Sequence, residues 1–132
     1  MKINNVTAVV QVKGDYRKCY EFYTEKVGLV PIYGDGDGPY TNFSDSKDGE
    51  PFFAMYCSHD LAKRTPGYVV SVSTAAADTL SATFHTSDFE ADFKRMQEAG
   101  VELERADMDC EFNMAVFRDT EGNMLSLEDG GV

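Results

Sequence analysis

The chain has no tryptophan, and only three cysteines and four prolines in 132 residues. Bases are scarce too: 12 Lys and Arg stand against 23 Asp and Glu, a formal net charge of −11. That deficit argues against a nucleic-acid partner, because phosphate recognition needs clustered Lys and Arg. It equally disfavours an anionic membrane surface. No apolar run approaches the roughly 18 residues of a membrane span. Cys19, Cys57 and Cys110 make neither a CxxC pair nor a zinc spacing, so free thiols in a reducing compartment are expected. The opening MKINNVTAVVQVKGD lacks the apolar run and cleavage site of a signal peptide. The expectation is a cytoplasmic protein with neither nucleic acid nor membrane as partner.

What is present is ordinary for a globular fold: 42% hydrophobic and 27% charged residues. The length predicts one domain over residues 1–132. The charge is skewed along it. Residues 1–66 hold 8 bases and 9 acids, whereas residues 67–132 hold 4 bases and 14 acids. Solubility accounts for such an excess; attraction for a cationic ligand is the alternative.

Val6–Val12 is rich in β-branched residues and predicts a strand. Its alternation puts Thr7, Val9 and Gln11 on one face and Val6, Ala8, Val10 and Val12 on the other. Asp15 is a candidate N-cap. Tyr16, Cys19, Tyr20, Tyr23 and Val27 follow at helical spacing, and Gly28 ends that helix. Strands are predicted at Leu29–Tyr33, Tyr40–Phe43 and Pro51–Cys57, with GDGDGP (34–39) and Ser44–Glu50 as turns. Ser58–Arg64 has the makings of a helical turn, and Tyr68–Ser73 reads as extended.

The pattern then recurs. Ser81–Thr86 predicts a strand with Ser81, Thr83 and His85 on one face. Ser87 with Glu90 three residues on spells a capping box. Phe89, Phe93, Met96 and Gln97 continue the helix to Gly100. Val101–Arg105, Glu111–Arg118 and Asn123–Glu128 predict strands, the last two around the turn Asp119–Gly122. Asp15 matches Asp88, Tyr16 matches Phe89 and Gly28 matches Gly100, with one extra residue before the first helix and one within it. The expected fold is α+β: two βαβββ modules forming curved sheets around a cavity. Module one covers 1–58, a linker 59–80 and module two 81–132.

The paired modules, with EFYTEKVGL in the first and FRDTEGNMLSLED in the second, resemble the vicinal oxygen chelate superfamily of glyoxalases, bleomycin-resistance proteins and extradiol dioxygenases. The first helix there commonly carries Phe-Tyr before a Val-Gly-Leu step, here Phe22-Tyr23 and Val27-Gly28-Leu29. The closing hairpin commonly reads F-x-D-P-x-G-N, here Phe117 to Asn123 with Thr120 for the proline. Family enzymes hold a divalent metal in the cavity with His, Glu or Gln, and use it as a Lewis acid on vicinal oxygens. The resemblance implies ligand positions at Thr7, at Ser81, within PFFAMYC and at Ser126. None offers an imidazole or carboxylate, so no metal cofactor is expected. Gln11, His85 and Glu128 are suitable residue types, but lie four, four and two residues away from those positions. Four residues span about 13 Å at roughly 3.3 Å each, and no common centre is expected.

His59 reads as an exposed residue of the joint, and the acidic GDGDGP as a loop without the ligand spacing of an EF-hand. The aromatics are 9 Phe and 7 Tyr. Tyr33, Tyr40, Phe43, Phe52, Phe53 and Tyr56 gather in strands two to four, some toward the core and some toward the cavity. An aromatic-lined, acid-rimmed groove suits a flat or cationic organic molecule. The resemblance thus implies a metal-independent small-molecule binder of antibiotic-resistance type, a homodimer as in relatives of this length. Candidate contacts are Thr7, Gln11, Ser81, Thr83, His85, Ser126 and Glu128. The alternatives are a metal-dependent lyase, isomerase or dioxygenase of glyoxalase type, and a stress or regulatory protein with a vestigial cavity.

Overall fold

The computed structural model describes residues 1–68, 70, 80–106 and 112–130. The chain divides into two units, Met1–Ala75 and Ala76–Val132. The first holds strand β1 (Ala8–Val12), helix α1 (Tyr16–Glu21) running on into a π-helical stretch (Phe22–Val27), β2 (Val30–Tyr33), β3 (Tyr40–Ser44), β4 (Phe53–Cys57) and α2 (Ser58–Arg64). The second holds β5 (Leu80–His85), α3 (Phe89–Glu98), β6 (Glu104–Arg105), β7 (Met114–Arg118) and β8 (Met124–Glu128). The sheets have matching orders, β1-β4-β3-β2 and β5-β8-β7-β6. In each, the first strand lies parallel to the fourth and the other pairs are antiparallel. The α+β fold of two βαβββ modules is therefore present. Helix α2 lies inside the stretch 59–80 read as linker, apart from its first residue. Residues 69 and 71–79, with most of the extended segment expected at Tyr68–Ser73, lie outside the described residues.

In the first unit one sheet face is sealed by the helix. Val10, Val12, Thr41, Phe43, Phe53 and Met55 are all buried there. Tyr23 lies on them, its ring 4.8 Å from Phe53 and 6.1 Å from Phe43. Cys19, Phe22 and Val27 complete the layer. Each such large apolar side chain contributes about 1.5–3 kcal/mol by leaving water. The π-helical stretch falls in the helix to which the internal repeat assigns one extra residue. An i→i+5 turn absorbs one residue without rotating the apolar stripe off the sheet. Gly28, at φ 92°, then ends the helix by donating to the Tyr23 carbonyl.

The second unit repeats this with Ala115, Phe117, Leu125 and Leu127 buried beneath Phe89 and Met96. Here three expectations are corrected. The N-cap is Asp88, not Ser87: its carboxylate accepts from the Ala91 N–H at 3.2 Å. Glu90 is drawn away from any capping box by a two-point bond to Arg105, whose guanidinium also lies over Phe93. The strand expected at Val101–Arg105 is only Glu104–Arg105, because the Val101 N–H closes the helix end on the Met96 carbonyl. Strand β7 starts at Met114, since the Asn113 N–H goes to the Asp129 carboxylate. Residues 107–111, including the expected strand start at Glu111, lie outside the described residues.

The closing turn explains its own sequence. Asp119 is buried and its carboxylate accepts from the Glu121 N–H, the Asn123 N–H and the Asn123 side-chain amide. On the helix side of the first unit, Tyr16 ties α1 to β3. Thr41 spends its only hydroxyl proton on the Asp35 carbonyl, so Tyr16 is the donor in its 2.7 Å bond to Thr41. Burial pushes the Tyr16 phenol up to about 12.

Two outcomes follow for stability. Asp88→Ala should cost about 1 kcal/mol in urea denaturation, and Ser87→Ala no more than about 0.5 kcal/mol. The raised Tyr16 pKa means its stabilising contribution is complete below pH 10 and falls away as pH climbs toward about 12. Tyr16→Phe should therefore lose less stability than the parent between those values, read from melting temperature against pH.

Candidate functional site: the uncovered sheet faces

A single helix covers one face of each four-stranded sheet and leaves the other to be built by the alternate residues. In the first unit the strand registers set these in rows. Gln11 pairs with Tyr56 and Tyr56 with Tyr40. Val9 pairs with Ala54, Ala54 with Asn42, and Asn42 with Tyr33. The Tyr40 ring meets Tyr56 edge-on at 5.4 Å and Tyr33 at 6.3 Å. Tyr33 is 68% and Val9 44% exposed. The six aromatics expected to gather here are thus sorted by parity: Phe43 and Phe53 go to the core, while Tyr33, Tyr40 and Tyr56 form an aromatic row on the uncovered face. Phe52, just before β4, is also exposed.

One polar atom on this face is out of balance. Asn42 Oδ1 is buried and has no hydrogen-bond partner among the described residues. Leaving a buried acceptor unmade costs about 1–3 kcal/mol. Nothing in the sequence singled Asn42 out. The available signal was its alternation with Tyr40 in β3.

Of the two candidates in this unit, Thr7 sits half-buried just ahead of β1. The Gln11 side chain is anchored: its Oε1 accepts from Ser58 at 2.8 Å and from Tyr68 at 2.7 Å. These bonds hold α2 and Tyr68 at the end of β1. Gln11 is accordingly a brace for the border of the face as well as a member of it.

In the second unit, Thr83 pairs with Ser126 and His85 with Glu128. The Ser126 hydroxyl is buried and donates to Thr83 at 2.9 Å. His85 Nδ1 lies 2.8 Å from the Gly130 carbonyl and 3.4 Å from Glu128 Oε1. A carbonyl only accepts, so Nδ1 carries a proton, and in the neutral ring Nε2 is left as the acceptor. Two readings of the linear sequence are corrected here. A bulge between Leu80 and Ala82 leaves Ser81 outside the register, so Leu80 faces Met124 and Thr83 faces Ser126. The extra residue also brings His85 and Glu128 into one cross-strand pair, where unequal shifts had set them apart. Ser81 itself is exposed.

The Thr83–Ser126 pair offers neutral hydroxyls bonded to each other, and His85–Glu128 is one imidazole and one carboxylate. Among the described residues no three His, Cys, Asp or Glu side chains gather to hold a metal. Of the acids in the second half, Glu104 pairs with Val116, which in turn pairs with Ser126, so its side chain is on the uncovered face. Asp107, Asp109 and Glu111 lie outside the described residues, as does Cys110, while Cys19 and Cys57 are not in a disulfide. No described helix is long and apolar enough to cross a membrane.

The model of the Glyoxalase/Bleomycin resistance protein/Dioxygenase superfamily matches residues 3–127, and the chain belongs to that superfamily. No curated protein matches it. Among solved structures it is similar to a protein of unknown function from Agrobacterium tumefaciens str. C58, at 18% identity and TM-score 0.75, over 99% of this chain and 97% of that one. It is similar to TnmS3, an antibiotic binding protein from Streptomyces sp. CB03234, at 22% identity and TM-score 0.63, over 99% of both chains. The fosfomycin resistance protein FosX from Mesorhizobium loti shares 11% identity at TM-score 0.62, over 99% of this chain and 96% of that one. At these identities the likeness is one of fold.

Gln11→Ala removes the acceptor shared by Ser58 and Tyr68. It should cost about 1–3 kcal/mol and speed tryptic cleavage after Lys63 and Arg64, whereas Gln11→Glu, which keeps an acceptor, should lose less.

Proposed function

We propose that this protein binds a flat, cationic organic molecule on the open sheet face of its first unit and sequesters it without a metal and without chemical conversion. The observation that carries the proposal is the row Tyr33, Tyr40 and Tyr56 on the first unit's open face. Tyr40, edge-on to Tyr56 and tilted against Tyr33, groups three rings that offer stacking and cation–π contact. In the second unit the open face carries Glu104 and Glu128, which favour a positive charge. Each open face, taken by itself, offers polar contacts: Thr7 and Gln11 in the first unit, and His85, Glu128, Thr83 and Ser126 in the second. Ser81 is dropped because the bulge takes it out of register. The family fold supports the reading, since an antibiotic binding protein shares it.

Titration with the phenothiazinium cation methylene blue tests this. At about 100 times its Kd a bound ligand adds about 2.7 kcal/mol to stability, seen as a rise in melting temperature. Tyr40→Ala or Tyr56→Ala should weaken binding by about tenfold or more. Stoichiometric zinc, nickel, manganese or iron in the purified protein, with binding abolished by a chelator, would overturn the metal-free reading.

A further inference from the structure

We infer that Asn42 is a specificity-determining acceptor that selects, among flat aromatic ligands, those carrying an N–H or O–H donor at the ring edge. The inference rests on the binding function proposed above. Strand β3 sets Tyr40 and Asn42 on the same uncovered face, two residues apart. Beside Asn42 the cross-strand neighbour is Ala54, which brings only a methyl group and no donor. Its other neighbour, Tyr33, points a ring toward Tyr40. The Asn42 oxygen is thus shut from water and unpartnered among the described residues, in a fold where nearly all buried polar atoms are satisfied.

An amide kept in that state on an otherwise apolar and aromatic row is poised for a donor that arrives with the ligand. Asn42 is only half-buried as a residue, and the amide turns about a broad, roughly two-fold torsion. The oxygen can therefore come forward to meet a ring substituent lying on Tyr40. The tyrosines, by contrast, present faces and edges that accept any flat ring. Recognition by stacking alone is permissive, and a single buried acceptor converts it into a choice of substituent, because a ligand without the donor leaves the oxygen unsatisfied.

Thionine and methylene blue separate these contributions. Both are planar phenothiazinium cations; thionine carries two NH2 groups, and methylene blue has them fully methylated. Intact protein should bind thionine about tenfold more tightly than methylene blue in fluorescence titration. Asn42→Leu should lower thionine affinity to that of methylene blue and leave methylene blue within about twofold. Equal affinities in the intact protein would overturn the role of Asn42 while leaving the binding function standing. A preference that survives in Asn42→Leu, or an equal loss of both dyes, would also overturn it, pointing to methyl-group bulk or to a merely structural amide. Binding of neither dye would overturn the binding function and this inference with it.

Discussion

A four-stranded sheet with a single helix across it can hide only one of its faces. Everything else in each unit follows from that constraint. The hidden face takes the large apolar residues, Phe43, Phe53 and Met55 in the first unit and Phe117, Leu125 and Leu127 in the second. These side chains supply the burial that offsets the entropy of ordering the chain. The residues between them are forced outward by the two-residue period of a strand. They need not be apolar, and they are free to carry function. That is where Tyr40, Asn42, Tyr56, Thr83, His85 and Glu128 are found.

The helices show how firmly the constraint is enforced. The first helix is one residue longer between its caps than the second. A straight α-helix would swing its stripe away from the sheet by about a third of a turn for each extra residue. The π-helical stretch Phe22–Val27 takes up the difference, and Phe22, Tyr23 and Val27 all stay buried. At the opposite end of the scale, the bulge in β5 changes nothing in the core. It does change which residues of the open face stand side by side.

The acidity has a partial location. Glu104 and Glu128 belong to strands whose registers place them on an open face. Glu90 is turned outward to Arg105, and Asp119 is consumed in organising its turn. The charge of the second half therefore serves several structural purposes, and only part of it lies on an open face.

The fold was largely legible in the residues. The strand alternation, the helical stripes, the terminal glycines and the repeat each rest on contacts within a few residues, which a linear reading captures. Even the Asp88 cap was present in the match of Asp15 to Asp88, although the Ser87–Glu90 spacing pointed one residue too early. Glu90 did not close a box because Arg105, 15 residues on, competes for it. The site was only half legible. Composition and strand position announced an aromatic cluster. That Gln11 is tied to Ser58 and Tyr68, and that His85 stands beside Glu128, depend on strand register. The parallel registers are set by pairing between segments more than 40 residues apart, and one bulged residue shifts them. The two βαβββ modules follow from the residues alone, because local periodicity encodes which face is buried. The partners on the open face, and an Asn42 Oδ1 with no partner among the described residues, come from strand pairing, because those neighbours are brought together across the sheet and not by order along the chain.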